Sequence, residues 1–219
     1  MAPVTDKGWL DLRRAISAAE PGSTMAKTIL IVQGHPDPDR GHFCHALADA
    51  YERGAVEAGH HVEALEPAGL TIPFLRTKAD FDAGMPPDFV PDAQAKLRRA
   101  NHMVVIYPLW LGAMPALLKA FFEQVLRPSF AFDNDPSGKS WTKRLAGRSA
   151  RVIVTMGMPA FIYRWFYLAQ SLKSFERNML AFCGFGPIRH TLIGAVETVS
   201  DRDRIRWLAR VEQLGNRGN

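Results

Sequence analysis

Three short segments of the chain carry residue types that could do chemistry. The first, Tyr107-Pro-Leu-Trp-Leu-Gly-Ala-Met-Pro115, is almost wholly apolar. An apolar wall with backbone amides at its rim suits a flat heteroaromatic ring, because side chains pack the ring face while N–H groups bond its edge. Gly112 permits close backbone approach. Composition alone would assign Leu109, Trp110, Leu111 and Met114 to core. The second segment, Gly34-His-Pro-Asp-Pro-Asp-Arg-Gly-His42, joins an apolar strand to the start of a helix. Free N–H groups and the helix dipole favour an anion there. His35, Arg40 and His42 add donors, so a phosphate or pyrophosphate fits. Asp37 and Asp39 count against it, and a plain Pro-rich turn is the alternative. The third, Thr155-Met-Gly-Met-Pro159, offers backbone donors and then an aromatic cluster, Phe161, Tyr163, Trp165, Phe166 and Tyr167. A ring site with Tyr163 at its edge fits this pattern, and so does an aromatic helix face packed into the core.

Rival chemistries leave weaker traces. His42 and His45 share one helix face, with His35 and Asp37 nearby, so a metal-dependent hydrolase can be drawn. No acidic partner is well placed for it, and no metal is expected. No Gly-x-Gly-x-x-Gly follows the first strand. Gly138-Lys-Ser140 looks like the end of a nucleotide loop, but position 133 is Asp where Gly is required. His60 and His61 point to opposite faces of a strand and read as surface and edge residues.

The bulk numbers set the frame. At 219 residues the chain suits one domain with a short extension. Hydrophobic residues are 47% and charged residues 22%, enough to bury a substantial core. The formal charge of +5 helps attract phosphate-bearing ligands. Lys and Arg are dispersed without a run of four, so nucleic acid is not an expected partner. Cys44 and Cys183 are far apart and outside any Cys-x-x-Cys pair. They read as reduced thiols of a cytoplasmic protein. No apolar run approaches the ~18 residues of a membrane helix, and no signal-peptide core is present.

Positioning these segments falls to a regular alternation. Residues 1–24 read as an N-terminal extension with a helix over 8–19, stopped by Pro21-Gly22-Ser23. The body, 25–219, opens with a buried strand over Thr28–Gln33. Helices are predicted over 42–59, 92–100, 115–126, 164–182 and 201–214. Further strands are predicted over 61–65, 103–107, 151–155 and 188–192. Residues 67–91 read as an irregular connection and 128–149 as a polar loop. Alternation of this kind predicts an α/β fold, a doubly wound five-stranded parallel sheet of order 2-1-3-4-5. Ligands then bind outside the strand carboxyl ends where the order reverses, and all three segments meet there.

Together these segments resemble a known family, the NAD(P)H:quinone oxidoreductases of the flavodoxin-like superfamily (the DT-diaphorase type) and their bacterial relatives. The likeness spans roughly residues 27–195. It is densest in Pro87-Asp-Phe-Val90, Gln94-Ala-Lys-Leu-Arg-Arg-Ala100 and Tyr107 through Glu123, with Pro108, Leu109, Pro115, Leu118, Lys119, Phe122 and Glu123 at family positions. Cys183-Gly-Phe185 also fits. The resemblance implies a flavodoxin-like domain holding FAD or FMN at a homodimer interface. It implies that His35 and the turn through His42, Phe43 and Cys44 cradle the flavin phosphate. Pro108, Leu109, Trp110, Leu111 and Gly112 would line the isoalloxazine, Thr155, Met156 and Gly157 would form the turn beside it, and Tyr163 would be the catalytic residue. Departures are visible. His42-Phe43-Cys44 stands where the family shows Ser, aromatic, Asn. Met156 and Met158 replace polar or small residues, and Ala169 stands where the mammalian type has a His. The activity implied is hydride transfer from NAD(P)H through the flavin to a quinone or similar electrophile. A flavin-binding regulatory subunit of a membrane transporter is the second expectation.

Overall fold

The structure is a computed structural model that describes residues 25–135 and 140–219. The expected extension 1–24, with its helix over 8–19, lies outside the described residues. Strand β1, Thr28–Gln33, is followed by helix α1, Phe43–Glu57, and strand β2, His61–Leu65. A single 3-10 turn, Pro67–Gly69, and helix α2, Lys78–Ala83, come next. Thr77 caps α2 through the Asp80 N–H while the Asp80 carboxylate returns to the Thr77 N–H. That reciprocal cap gives structure to a connection expected to be irregular. Helix α3, Phe89–Arg99, strand β3, His102–Pro108, and helix α4, Ala116–Val125, complete the first half.

Strands β4, Phe132–Asn134, and β5, Trp141–Lys143, pair antiparallel inside the stretch expected to be a polar loop. Phe132 is buried against Phe81 and Phe182, and Trp141 stacks on Phe182. These aromatic anchors fold back a segment whose average polarity conceals them. Strand β6, Ser149–Thr155, leads to helix α5, Ala160–Trp165. Helix α6, Gln170–Ser174, continues as a π-helical turn over Phe175–Ala181. The single helix expected over 164–182 is therefore broken: Leu168 and Ala169 take φ of 54° and 48°, and the Ala169 N–H turns back to the Tyr163 carbonyl at 3.0 Å. Strand β7, Ile188–Ile193, and helix α7, Asp201–Asn216, end the domain.

The large sheet is parallel, in the order β2-β1-β3-β6-β7. Counted along its own five strands this is the expected 2-1-3-4-5. Alternate side chains leave opposite faces of each strand, so two cores form. Ile29, Ile31, Val104, Ile106 and Ile153 pack under α1 and α7. Leu30, Val105, Tyr107, Val152 and Val154 pack with Phe121, Phe122, Leu172 and Phe175 on the other face. Helices α1 and α7 touch backbone to backbone. A Cβ on Gly54 would lie 1.9 Å from the Glu212 carbonyl oxygen, and one on Gly215 would lie 2.0 Å from that of Tyr51. His60, expected at the surface, is buried and accepts the Lys27 N–H on Nδ1 at 3.2 Å.

Candidate active site

The loop after β1 folds around Asp37. The Asp37 N–H donates to His35 Nδ1 at 3.2 Å, and His45 Nε2 reaches the Asp37 carbonyl at 3.0 Å. His42 Nε2 meets the Asp37 carboxylate at 3.0 Å. The His35 and His42 rings stack with centroids 4.0 Å apart. Each imidazole thus spends a ring nitrogen on one residue's backbone or carboxylate instead of converging on a common point. Among the described residues no His, Cys, Asp and Glu group could hold a metal ion. Burial lowers the His35 pKa, and the Asp39 amide, then His42, hold the Asp37 carboxyl below its usual range.

Helix α1 begins in this loop. His42 is its N-cap, makes no side-chain cap bond, and no acidic residue occupies the first turn. The first turn thus carries no carboxylate of its own, which favours an anion at a helix start, while Asp37 meets the His42 imidazole and Asp39 Oδ1 accepts the Gly41 N–H just before it. His45, in that same turn, is 2% exposed, and among the described residues its Nδ1 has no hydrogen-bond partner. Cys44 does not offer its thiol to this loop. Its Sγ lies 3.2 Å from Thr155 Oγ1 in the interior, and burial pushes its pKa up to about 11. Phe43 is partly buried, and the Arg204 guanidinium lies over its ring at 5.5 Å.

The loop after β3 is a tight hairpin. Trp110 and Ala113 exchange N–H···O bonds of 2.9 and 3.0 Å, and the two residues between them both have positive φ, Leu111 at 46° and Gly112 at 78°. Gly suits such a turn; Leu does not, and its Cβ is crowded in this conformation. Trp110 is 51% exposed and Leu111 fully so. Of the apolar run, Tyr107, Pro108 and Pro115 at its two ends are buried, with Leu109 and Met114 packed against the core. The tip is therefore a presented apolar surface, not core. Backbone strain combined with apolar exposure is a mark of function.

The three loops are contiguous. His35 meets Trp110 edge to face with centroids 5.9 Å apart, and the Leu109 N–H donates to the Thr155 carbonyl at 2.7 Å. Met156 is buried, and its N–H bonds the Ile193 carbonyl. Gly157 is exposed beside the Glu197 carboxylate, which a Cβ there would meet at 3.2 Å. Leu111, Gly112, Met158, Tyr163, Tyr167, Gln170 and Ser171 enclose a cavity of about 380 Å³. Tyr163 is 2% exposed. Its hydroxyl accepts the Leu172 N–H at 3.1 Å and lies 2.7 Å from Ser171 Oγ. Met158 comes from the third segment, but motif spacing did not single out Gln170 or Ser171. These two enter through the break at Leu168 and Ala169, which no Gly or Pro announces.

Comparison with known proteins settles the family. A family model described as having a flavodoxin-like fold matches residues 27–214. The chain belongs to this flavodoxin-like family. A curated relative, an uncharacterized NAD(P)H oxidoreductase of Haemophilus influenzae, is 26% identical over 179 residues, covering 80% of this chain and 87% of its own. An NAD(P)H:quinone oxidoreductase from Methanothermobacter marburgensis shares the fold with a TM-score of 0.73 and 22% identity, covering 88% of this chain and 96% of its own. An FMN-dependent NADH-azoreductase from Bacillus anthracis, solved in complex with FMN, does so with a TM-score of 0.67 and 16% identity, covering 88% of this chain and 99% of its own. At those identities the two structures speak for the fold alone. Among the described residues no helix is long and apolar enough to cross a membrane.

Proposed function

We propose that the chain is a flavoenzyme that takes hydride from NAD(P)H and delivers it to a quinone or similar electrophile. The observation that carries this reading is the strained, presented hairpin 110–113, which shares one cavity with Tyr163 and one ring contact with His35. The residues fit FMN or FAD in three respects. The first turn of α1 is free of carboxylates and flanked by imidazoles, which suits the flavin phosphate. The backbone of 108–112 and the exposed Trp110 suit a ring face and its edge. The turn Thr155, Met156, Gly157 closes the other side, with Gly157 open to approach.

A bound flavin would supply the hydride relay between the two substrates. The chain's own residues orient and exclude. Leu111, Met158 and Tyr167 wall the cavity with apolar surface against which a ring can pack. The Tyr163 hydroxyl, fixed by the Leu172 N–H, holds a proton that it shares with Ser171 at the cavity wall. Pro108 and Leu109 contribute through backbone position, and Cys44 and Thr155 form the buried joint beneath. A homodimer is part of this reading: Trp110, Leu111, Phe166, Tyr167 and Leu168 form an exposed apolar surface beside the cavity that a second copy would cover.

The visible spectrum of the purified protein tests the proposal. Flavin bands, with NAD(P)H oxidation that depends on added quinone, are the expected result. A colourless preparation that takes up neither FMN nor FAD overturns it. Flavin bands without turnover would instead favour the regulatory-subunit reading.

A further inference from the structure

Among the described residues strand β7 is an open edge of the sheet. The carbonyls of Pro187 and Ile193 bond inward to the Ala150 and Met156 N–H groups, at 3.0 and 2.9 Å. Backbone direction alternates along a strand, so the odd-numbered residues face β6. The N–H and C=O groups of His190 and Leu192 therefore face outward. A row of this kind is a template for a further strand.

Outside that edge runs a groove of about 470 Å³. His190, Thr191 and Leu192 form its floor. Phe161, Arg164 and Trp165 of α5 and Trp207 and Arg210 of α7 wall it, and because α5 buries Tyr163 in one core while α7 packs Trp207 against the other, the two helices flank opposite faces of the sheet. The Arg164 guanidinium lies over the Trp165 ring at 6.0 Å, and that of Arg210 over Trp207 at 5.2 Å. Among the described residues neither arginine meets a carboxylate. The nearby Glu176 is already engaged by His190 Nδ1 at 2.9 Å.

We infer that this groove docks an extended acidic segment of a partner protein, which adds to the sheet beside β7. Its backbone pairs with the outward groups of His190 and Leu192. Side chains of a strand alternate between faces, and the two arginines stand on opposite faces. Two adjacent acidic residues therefore reach one arginine each. The residues flanking that pair present apolar surface, one to each tryptophan. The recognised pattern is apolar, acidic, acidic, apolar. This inference rests on the sheet edge and the two Arg–Trp pairs, independently of any flavin.

Fluorescence anisotropy with the full chain tests it. The probe is a labelled, end-blocked hexapeptide, Thr-Val-Glu-Glu-Val-Thr. Saturable binding is expected, weakened by about tenfold or more when Arg164→Glu and Arg210→Glu are combined. A similar loss is expected when a central peptide residue becomes proline, which removes a backbone donor. Both arginines are exposed, so far-ultraviolet circular dichroism of the double variant should match the parent. Equal binding of the Lys-Lys counterpart, unchanged binding by the double variant or by the proline peptide, or no saturable binding at all would each overturn the inference.

Discussion

The hydroxyl of Tyr163 lies 2.7 Å from that of Ser171, eight residues on, across a break in the helix. The same hydroxyl accepts the Leu172 N–H, so the duty proposed for Tyr163 and a structural one fall on one oxygen. Tyr163→Phe should retain flavin but slow its reduction by NADPH, on the order of a hundredfold. It should also cost about 1–3 kcal/mol of stability, because a buried N–H loses its acceptor. Stopped-flow reduction at the parent rate would remove Tyr163 from the mechanism.

Leu111 occupies a backbone conformation that Asn tolerates better. Leu111→Asn should raise stability by up to about 1 kcal/mol, read as a higher urea midpoint. Flavin affinity should fall several-fold in the same variant, because the apolar tip is gone. A loss of stability would show that the strain assigned to this turn is absent.

Gly54 and Gly215 let α1 and α7 meet without side chains between them. Gly54→Ala should destabilise by about 1–3 kcal/mol or more, since its Cβ has backbone and not a yielding side chain in front of it. Thermal unfolding checks this, and an unchanged midpoint would mean that the helices separate freely.

Acid should weaken the fold through His102. This imidazole is buried beside Ser149, with burial and then Lys27, Arg151 and Arg189 lowering its pKa to about 3. The unfolded chain, with an ordinary histidine, binds the proton that the folded chain refuses. Stability contributed by the neutral ring is therefore complete above the ordinary histidine range and is lost as pH falls toward 3, by up to about 1.4 kcal/mol per unit. His102→Gln should flatten the dependence of unfolding free energy on pH across that window.

Much of this was legible from the chain alone. The apolar runs at Thr28–Gln33 and 103–107 announce buried parallel strands, observed over Thr28–Gln33 and His102–Pro108, and their alternation with helices leads to the observed sheet order. What escaped was set by tertiary contacts. Nothing local ends the helix after Trp165; the capture of Ala169 and Leu172 by Tyr163 does. The ribbon at 132–143 hangs on Phe132 and Trp141 meeting Phe182, some forty residues on from Trp141 in the chain. At the hairpin, hydropathy favoured core for Trp110 and Leu111, and only the positive φ of Leu111 and Gly112 explains why they stand in solvent.

The contact between α1 and α7 also orders events in time. Helix α1 carries the first turn and the imidazoles that would receive a phosphate, yet its inner face is closed by α7 from the far end of the domain. A nascent chain exposes Leu47, Tyr51 and Gly54 until Val211 and Gly215 have been translated, so a high contact order is written into the cradle. A cofactor held at α1, as proposed, would then be captured after synthesis, when both halves of the chain are present to hold α1 in place.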